Sequence, residues 1–445
     1  MNETLLYGRE IILPKREIAH LDKEKIRINE CIQQKNKILY CARCNQKVSV
    51  CLPCEICEKN CFYCTHCIDM GKMCECCCLC SINEPFPQKR TVHFEWRGVL
   101  SNEQERGSIQ IIQAIQNRAN LLISAVTGAG KTEMIFKGLH YALEQGYRVC
   151  VAAPRIDVCL ELAPRIQAVF PNEPIIVLHG NTTEKYKYTK LVIATTHQLL
   201  KFKEAFDVLV IDEVDAFPFQ HNDSLQKRVD IVVKQEHSLI FLTATPSLEQ
   251  QRAIKKGELN CVDIPVRYHG FALPIPKFVY IGDWKNNITK KQLCTKLIKY
   301  INGSIKKQRK LLIFLPHIHL MQQLEQQLRQ RLPKHIQFAS VHAQDNERLE
   351  KVQAMRNQNY HFLLTTTILE RGVTFSNIDV IVLGSEDRIF STAALVQIAG
   401  RVGRKCDYPT GDVWFLHYGK TKAMISARNW IVKMNTLALK RGLIQ

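Results

Sequence analysis

No stretch of this chain approaches the roughly eighteen consecutive apolar residues that a bilayer-spanning helix needs, so none is predicted. The opening residues 1–17 carry charges of both signs where a secretory leader would have an apolar run, and no export signal is read there. Acidic residues are scarce: 42 Asp plus Glu stand against 61 Lys plus Arg, a formal charge of +19, and residues 413–445 contain no acid at all. Such a surplus favours a polyanionic partner, nucleic acid before a membrane surface, because neutralised phosphates release counterions. Solvation by lysine is the plainer alternative. The chain is expected in the cytoplasm, with any membrane association peripheral at the cytoplasmic face. At 445 residues and 46% hydrophobic content it is long enough for two or three domains with full cores.

Against these absences stands one sharp feature, Ala125-Val126-Thr127-Gly128-Ala129-Gly130-Lys131-Thr132. It follows the apolar run 121–124, which reads as a buried strand, and precedes residues 134–143, whose apolar spacing suits a helix. In such a strand, glycine turn and helix start, Thr127, Gly128, Ala129 and Gly130 form a loop that can curl backbone N–H groups around phosphate oxygens. Lys131 can reach the β- and γ-phosphates of ATP, and the Thr132 hydroxyl can hold Mg²⁺. The strict pattern has glycine where Ala125 stands. About eighty residues on, the strand-like run 206–211 ends in Asp212-Glu213-Val214-Asp215. Asp212 would hold Mg²⁺ and Glu213 would orient and polarise the attacking water.

Fourteen of the nineteen cysteines lie between Cys31 and Cys80. Without an export signal, such clustering points to metal ligation rather than disulfides. The two-residue gaps of Cys41–Cys44 and Cys64–Cys67 turn paired thiolates toward one centre, and two such pairs complete a structural Zn²⁺ site. Cys51, Cys54, Cys57, Cys61 and the run Cys74 to Cys80 leave a second zinc, or an iron–sulfur cluster, open by spacing alone.

The remaining chemistry is spread along an alternation of strands and helices. Residues 10–13 suit a strand and 24–34 a helix. Gln104, just upstream of the phosphate-loop strand, can pair both edges of adenine. Strand ends at Arg155 and at Thr195-Thr196 offer donors for a nucleic-acid backbone, and Thr243-Ala244-Thr245 offers small hydroxyls that could relay nucleotide state. Residues 259–276 are the linker candidate. Beyond them the alternation restarts with no second phosphate loop, but with Thr365-Thr366 and the run Gln397-Ile398-Ala399-Gly400-Arg401-Val402-Gly403-Arg404. Thr365 and Thr366 are further backbone-binding candidates. Gln397 joins the nucleotide-binding set, and Arg401 and Arg404 would stabilise charge on the transferred γ-phosphoryl group. The basic residues after 413, with Trp414 and Trp430, could touch nucleic acid or anionic lipid, but are read first as the solvated face of a helix packed on the core.

Gln104, residues 125–132, Pro154-Arg155, 212–215, 243–245, 365–372 and 397–404 together resemble the ordered motif set of superfamily 2 helicases over about residues 96 to 416. The resemblance implies an α/β protein of two tandem RecA-like parallel-sheet lobes, with ATP between them and single-stranded nucleic acid across their tops. Tyr63-Cys64-x2-Cys67-x2-Met70-Gly71, Trp96-x-Gly98-x-Leu100-Ser101-x2-Gln104 and residues 125–134 narrow it further. They are similar to the ComFA family, late-competence ATPases that help draw transforming single-stranded DNA through the membrane channel of naturally competent Gram-positive bacteria. On that resemblance Cys41, Cys44, Cys64 and Cys67 correspond to the zinc ligands, and the channel and other competence proteins become partners. The family pattern needs four cysteines, so the surplus here departs from it.

The expected organisation is an N-terminal segment over 1–38, a zinc module over 39–82, a first lobe over 92–265 and a second over 275–445. The function so read is an ATP-dependent single-stranded DNA translocase of DNA uptake. The rival is a replication-restart or recombination helicase of the PriA or RecG kind.

Overall fold

In the computed structural model, residues 3–18, 24–182, 184–371 and 373–444 are described. They divide into two compact units, one of Met1–Ile123, Thr132–Thr243 and Leu248–Val262, the other of Ser124–Lys131, Ala244–Ser247 and Asp263–Gln445. Among the described residues no helix is long and apolar enough to cross a membrane.

The first sheet has seven strands in the order Ile175–Leu178, Leu191–Thr195, Val149–Ala153, Phe206–Ile211, Val233–Thr243, Leu121–Ala125, Asn260–Ile264. The first five of these run parallel. Val149–Ala153, Leu191–Thr195 and Phe206–Ile211 are buried at every position, as strands covered on both faces must be, and their apolar runs are what made them visible in the sequence. The second sheet is parallel throughout, in the order Lys277–Tyr280, Val413–His417, Ile378–Leu383, Lys310–Phe314, Phe362–Thr365, Phe338–Val341. Trp284, Leu297, Ile301, Met321, Leu324 and Leu328 pack helices against one face of it. Functional side chains therefore sit at the strand ends of two largely parallel sheets. The C-terminal helix Lys422–Lys440 buries Met424, Ala427, Ile431, Met434 and Ala438. It leaves Lys422, Arg428, Lys433 and Lys440 exposed, as its pattern predicts.

The N-terminal region departs from expectation. In place of a helix over residues 24–34 there are two strands, Arg27–Glu30 and Ile32–Lys35. Arg27–Glu30 pairs antiparallel with Cys77–Ser81, which also pairs with Ile11–Pro14, while Ile32–Lys35 forms a hairpin with Ile38–Cys41. Helix propensity of Glu, Lys and Gln is worth tenths of a kcal/mol per residue, and backbone pairing to the cysteine strands overrides it. The linker candidate 259–276 is also corrected, because it opens with the sheet strand Asn260–Ile264. Where the alternation restarts, the first two helices are Trp284–Thr289 and Thr295–Lys306.

Within the first unit, the N-terminal region is fastened to the elements around the first sheet. Glu10 N–H donates to Lys201 O at 2.8 Å and Lys203 N–H to Gly8 O at 2.9 Å. The Glu10 carboxylate accepts from the buried Arg228 guanidinium, whose side chain is 2% exposed against 4% for Glu10. Arg148, fully buried, donates to Tyr7 O at 2.6 Å and to Tyr186 Oη at 2.7 Å. Glu84 bridges Lys190 at 2.8 Å and Lys234 at 2.7 Å.

Candidate nucleotide site and cysteine centres

The buried strand Leu121–Ala125 delivers the chain to the glycine turn, and the helix Lys131–Glu144 starts at its end. Gly128 and Gly130 have φ of 82° and 75°, the left-handed region that side chains with a Cβ avoid. Thr127 is 2% exposed and its Oγ1 has no hydrogen-bond partner among the described residues. It lies hard against the arginine-bearing turn: a Cβ built on Gly400 would fall 1.9 Å from Thr127 Oγ1, so that approach requires glycine.

A residue not singled out from the sequence stands beside both. The Arg267 stem lies 3.7 Å from where a Gly128 Cβ would be, and its Nη1 donates to Gly403 O at 2.5 Å. Arg267 is 1% exposed, and its Nε and Nη2 have no hydrogen-bond partner among the described residues. Burial, and then the charge of Arg404, pull its pKa down to about 9, which leaves it a cation at neutral pH. A buried cation with two unsatisfied donors beside a glycine turn is costly unless an anion meets it. Together with the orphaned Thr127 hydroxyl, this donor set fits the phosphates of a nucleotide. The signal in the sequence is a lone basic residue in Pro265-Val266-Arg267-Tyr268, inside a segment read as linker.

The other expected residues take varied positions. Gln104 sits in the first turn of the helix Asn102–Gln116. Its Oε1 accepts from Ser101 N–H at 2.8 Å, while Ser101 Oγ accepts from Gln104 N–H at 3.4 Å, a reciprocal cap. Thr132 is nearly buried. Asp212 is 7% exposed and ends its strand as predicted, with Oδ1 accepting from Glu213 N–H at 2.8 Å. Glu213 has φ of 54°, a left-handed backbone costing about 1 kcal/mol, of the kind concentrated at functional sites. Gln397 is buried in the helix Thr392–Ala399. Arg404 Nε donates to Gly400 O at 3.2 Å. Arg401 is 1% exposed; its Nε donates to Glu370 O at 2.8 Å and its Nη1 to Val373 O, so it braces the loop after Phe362–Thr365. Gly372, the last residue of that motif, lies outside the described residues.

Of the nucleic-acid candidates, Arg155 is paired with Asp157 at 3.4 Å. Thr195 and Thr196 are buried, as is Thr365, whose hydroxyl donates to Thr366 O at 3.2 Å; Thr366 is half-buried. Trp430 Nε1 donates to Ala244 O at 2.9 Å, tying the C-terminal helix to the 243–245 segment.

The sulfur atoms of Cys41, Cys44, Cys64 and Cys67 all lie within 4.8 Å of one another and all four residues are buried. Cys41 and Cys67 are 3.7 Å apart, Cys44 and Cys64 3.5 Å, and Cys64 and Cys67 3.8 Å. A tetrahedron with Zn–S bonds of about 2.3 Å has edges of about 3.8 Å. The residues therefore fit zinc, and far from the ~2.05 Å of a disulfide. Crowding pulls the protonation of the four thiols apart: their mutual hydrogen bonds drive Cys64 down and Cys44 and Cys67 up.

Comparison with known proteins places these features. Residues 1–81 match the Competence protein ComFA N-terminal domain, 106–254 the DEAD/DEAH box helicase family and 289–406 the Helicase conserved C-terminal domain. Competence protein ComFA of Bacillus subtilis is 44% identical over 351 residues, covering 79% of this chain and 75% of the relative. Its counterpart in Streptococcus pneumoniae is 44% identical over 353 residues, covering 79% and 80%. Among solved structures, S. cerevisiae Dbp5 bound to RNA and ADP BeF3 covers 75% of this chain and 91% of its own, with a TM-score of 0.52 at 16% identity. RecG bound to a three-way DNA junction covers 80% and 49%, with a TM-score of 0.52 at 17% identity. These two show a shared fold. The cysteine module, the two helicase domains and the extent of the identity together establish that the chain belongs to the ComFA family of competence proteins and is a superfamily 2 helicase-type ATPase.

Proposed function

We propose that the chain is a DNA-dependent ATPase that translocates single-stranded DNA during uptake of transforming DNA. The division into an N-terminal segment (1–38), a zinc module (39–82) and two motor lobes (92–265 and 275–445) belongs to this reading. The observation that carries it is the group of buried, unsatisfied donors around the phosphate loop, Thr127 Oγ1 and Arg267 Nε and Nη2, in a chain of this family.

In this reading Gly128, Ala129 and Gly130 wrap the phosphates and Lys131 neutralises the β- and γ-oxygens. Thr132 and Asp212 hold Mg²⁺, and Glu213 orients the attacking water. Arg267 and Arg404 offset charge on the transferred group. Arg401 serves through the 370–373 loop that it braces, and Gln397 supports the same turn. Gln104 reads the adenine, for which its amide must leave the cap it now closes. The ATP phosphates bring the anion that relieves the Arg267 cation, so binding energy goes to the group that develops charge.

DNA would be held through its backbone by Arg155, Thr195, Thr196, Thr365 and Thr366, the buried threonines acting through the adjoining main chain, and by the basic surplus of the surface. Binding should then be weakly dependent on sequence and strongly dependent on salt. The zinc at Cys41, Cys44, Cys64 and Cys67 is closed by four thiolates and therefore structural. Partners are the membrane channel and other uptake proteins, with peripheral association at the cytoplasmic face of the membrane.

Steady-state ATP turnover with single-stranded DNA, double-stranded DNA and RNA tests the reading. It predicts stimulation by single-stranded DNA, abolished in Lys131→Ala while DNA binding stays near normal. Turnover retained in that variant removes Lys131 from the mechanism, and absence of stimulation by any nucleic acid removes the motor.

A further inference from the structure

Four further thiols, Cys54, Cys57, Cys61 and Cys76, bring their sulfur atoms within 4.8 Å of one another at a place separate from the Cys41, Cys44, Cys64 and Cys67 set. Three of them come from one hairpin, Val50–Cys54 paired antiparallel with Lys59–Tyr63. Cys54 ends its first strand, Cys57 sits in the turn that Glu58 N–H closes onto Cys54 O at 2.8 Å, and Cys61 lies on the returning strand opposite Leu52. The fourth arrives from the segment leading into Cys77–Ser81. Glu75 N–H donates to Phe62 O at 2.9 Å and sets Cys76 Sγ 3.7 Å from Cys54 Sγ.

We propose that Cys54, Cys57, Cys61 and Cys76 bind a second structural zinc ion, making the N-terminal domain a two-metal module.

Three observations carry this. The Cys54–Cys76 separation matches the ~3.8 Å edge of a Zn–S₄ tetrahedron and is far from a disulfide. The hairpin tip has little apolar packing to hold it: between residues 51 and 61 only Cys54 and Cys61 are buried, Ile56 is partly buried against the cysteine core, and Leu52 is 51% exposed. A two-stranded hairpin with so small an apolar face is marginal in water, and a metal supplies further cohesion. Finally, all four sulfur atoms lie within 4.8 Å of one another, close enough to share one ion, whereas the ligands of an iron–sulfur cluster sit on different irons and spread apart. The strand Lys59–Tyr63 then links the two centres, with Cys61 in one and Cys64, just past its end, in the other. Cys74 and Cys77 flank Cys76, Cys74 Sγ lying 3.5 Å from Cys76 Sγ and 3.3 Å from Cys77 Sγ. Cys74 is placed to donate S–H to a Cys76 thiolate, the kind of outer contact that orients a ligand.

Elemental analysis and native mass spectrometry of the full chain, purified without added metal, provide the test. Wild type should carry two zinc ions, Cys41→Ser/Cys44→Ser one, and Cys57→Ser/Cys61→Ser one. Cys57→His, which keeps a ligand at that position, should restore the count to two. Circular dichroism identifies any variant that fails to fold, and in that event the wild-type count and the Cys41→Ser/Cys44→Ser count decide. One zinc in wild type, no loss in a folded Cys57→Ser/Cys61→Ser variant, no metal in a folded Cys41→Ser/Cys44→Ser variant, or iron in place of the second zinc would each overturn the assignment.

Discussion

Arg267 Nη1 donates to the carbonyl oxygen of Gly403 at 2.5 Å, while the stem of the same side chain passes 3.7 Å from the position a Cβ on Gly128 would take. One buried guanidinium thus touches both the phosphate loop and the turn that carries Arg404. Among the described residues no carboxylate pairs with its charge, which is why an anion is expected to seat there. Arg267→Met should keep the stem, remove the charge and slow ATP turnover by roughly 100-fold or more, the scale of losing one preorganised donor. Arg267→Lys should recover only part, since a single ammonium lacks the planar fork. The free variant should melt no lower than wild type, because an unpaired buried cation is gone, while stabilisation by added ATP shrinks. Thermal melts with and without nucleotide check both statements.

Gly400→Ala should be as damaging to turnover as loss of a charged residue. Its new methyl would fall 1.9 Å from Thr127 Oγ1 and 2.5 Å from Thr127 Cβ, so the phosphate loop must shift to admit it. Overpacking of this sort costs about 1–3 kcal/mol, and here the displaced atoms belong to the nucleotide site. The expected outcome is a raised KM for ATP with a lower kcat, measured beside a melting curve.

Glu10→Ala should unfasten the N-terminal region. Arg228 is 2% exposed, and removing the one carboxylate that pairs with it among the described residues leaves a buried cation held by the carbonyls of Leu199 and Phe202. Breaking one side of such a pair costs about 3–5 kcal/mol. Chemical denaturation should show the loss, and limited proteolysis should cut between residues 3 and 18 earlier than in wild type.

Glu84 gives a pH prediction. Burial pushes its carboxyl up, but Lys234 and Lys190 outweigh burial and hold it below the usual carboxylate range. A depressed acid contributes stability that is full above its unfolded value of about 4.3 and is lost as pH falls through the folded value. Wild type should therefore lose stability below about pH 4.3, and Glu84→Gln, already without that contribution at neutral pH, should show a shallower acid limb in melts taken from pH 7 downward.

What the sequence disclosed follows from local physics. Strands such as Val149–Ala153 and Phe206–Ile211 are uniformly buried, so they stand out as apolar runs, and the glycines at 128 and 130 are where the backbone turns left-handed. Residues 27–35 misled because their strand character comes from partners fifty residues and a few residues away, Cys77–Ser81 and Ile38–Cys41, and not from their own propensity. Arg267 was hidden for a related reason. Its importance lies in being buried against Gly128 and Gly403, a fact of packing that spacing along the chain does not carry. The second cysteine set was visible as a surplus, but the choice of Cys76 over its neighbours depends on the contact of Glu75 with Phe62.

The most direct test of the motor reading is displacement of streptavidin from the end of a biotinylated single-stranded oligonucleotide. The account predicts ATP-dependent displacement by wild type, none by Lys131→Ala, and none with a nonhydrolysable nucleotide. Displacement that proceeds without ATP hydrolysis, or that is equal in Lys131→Ala, would contradict it.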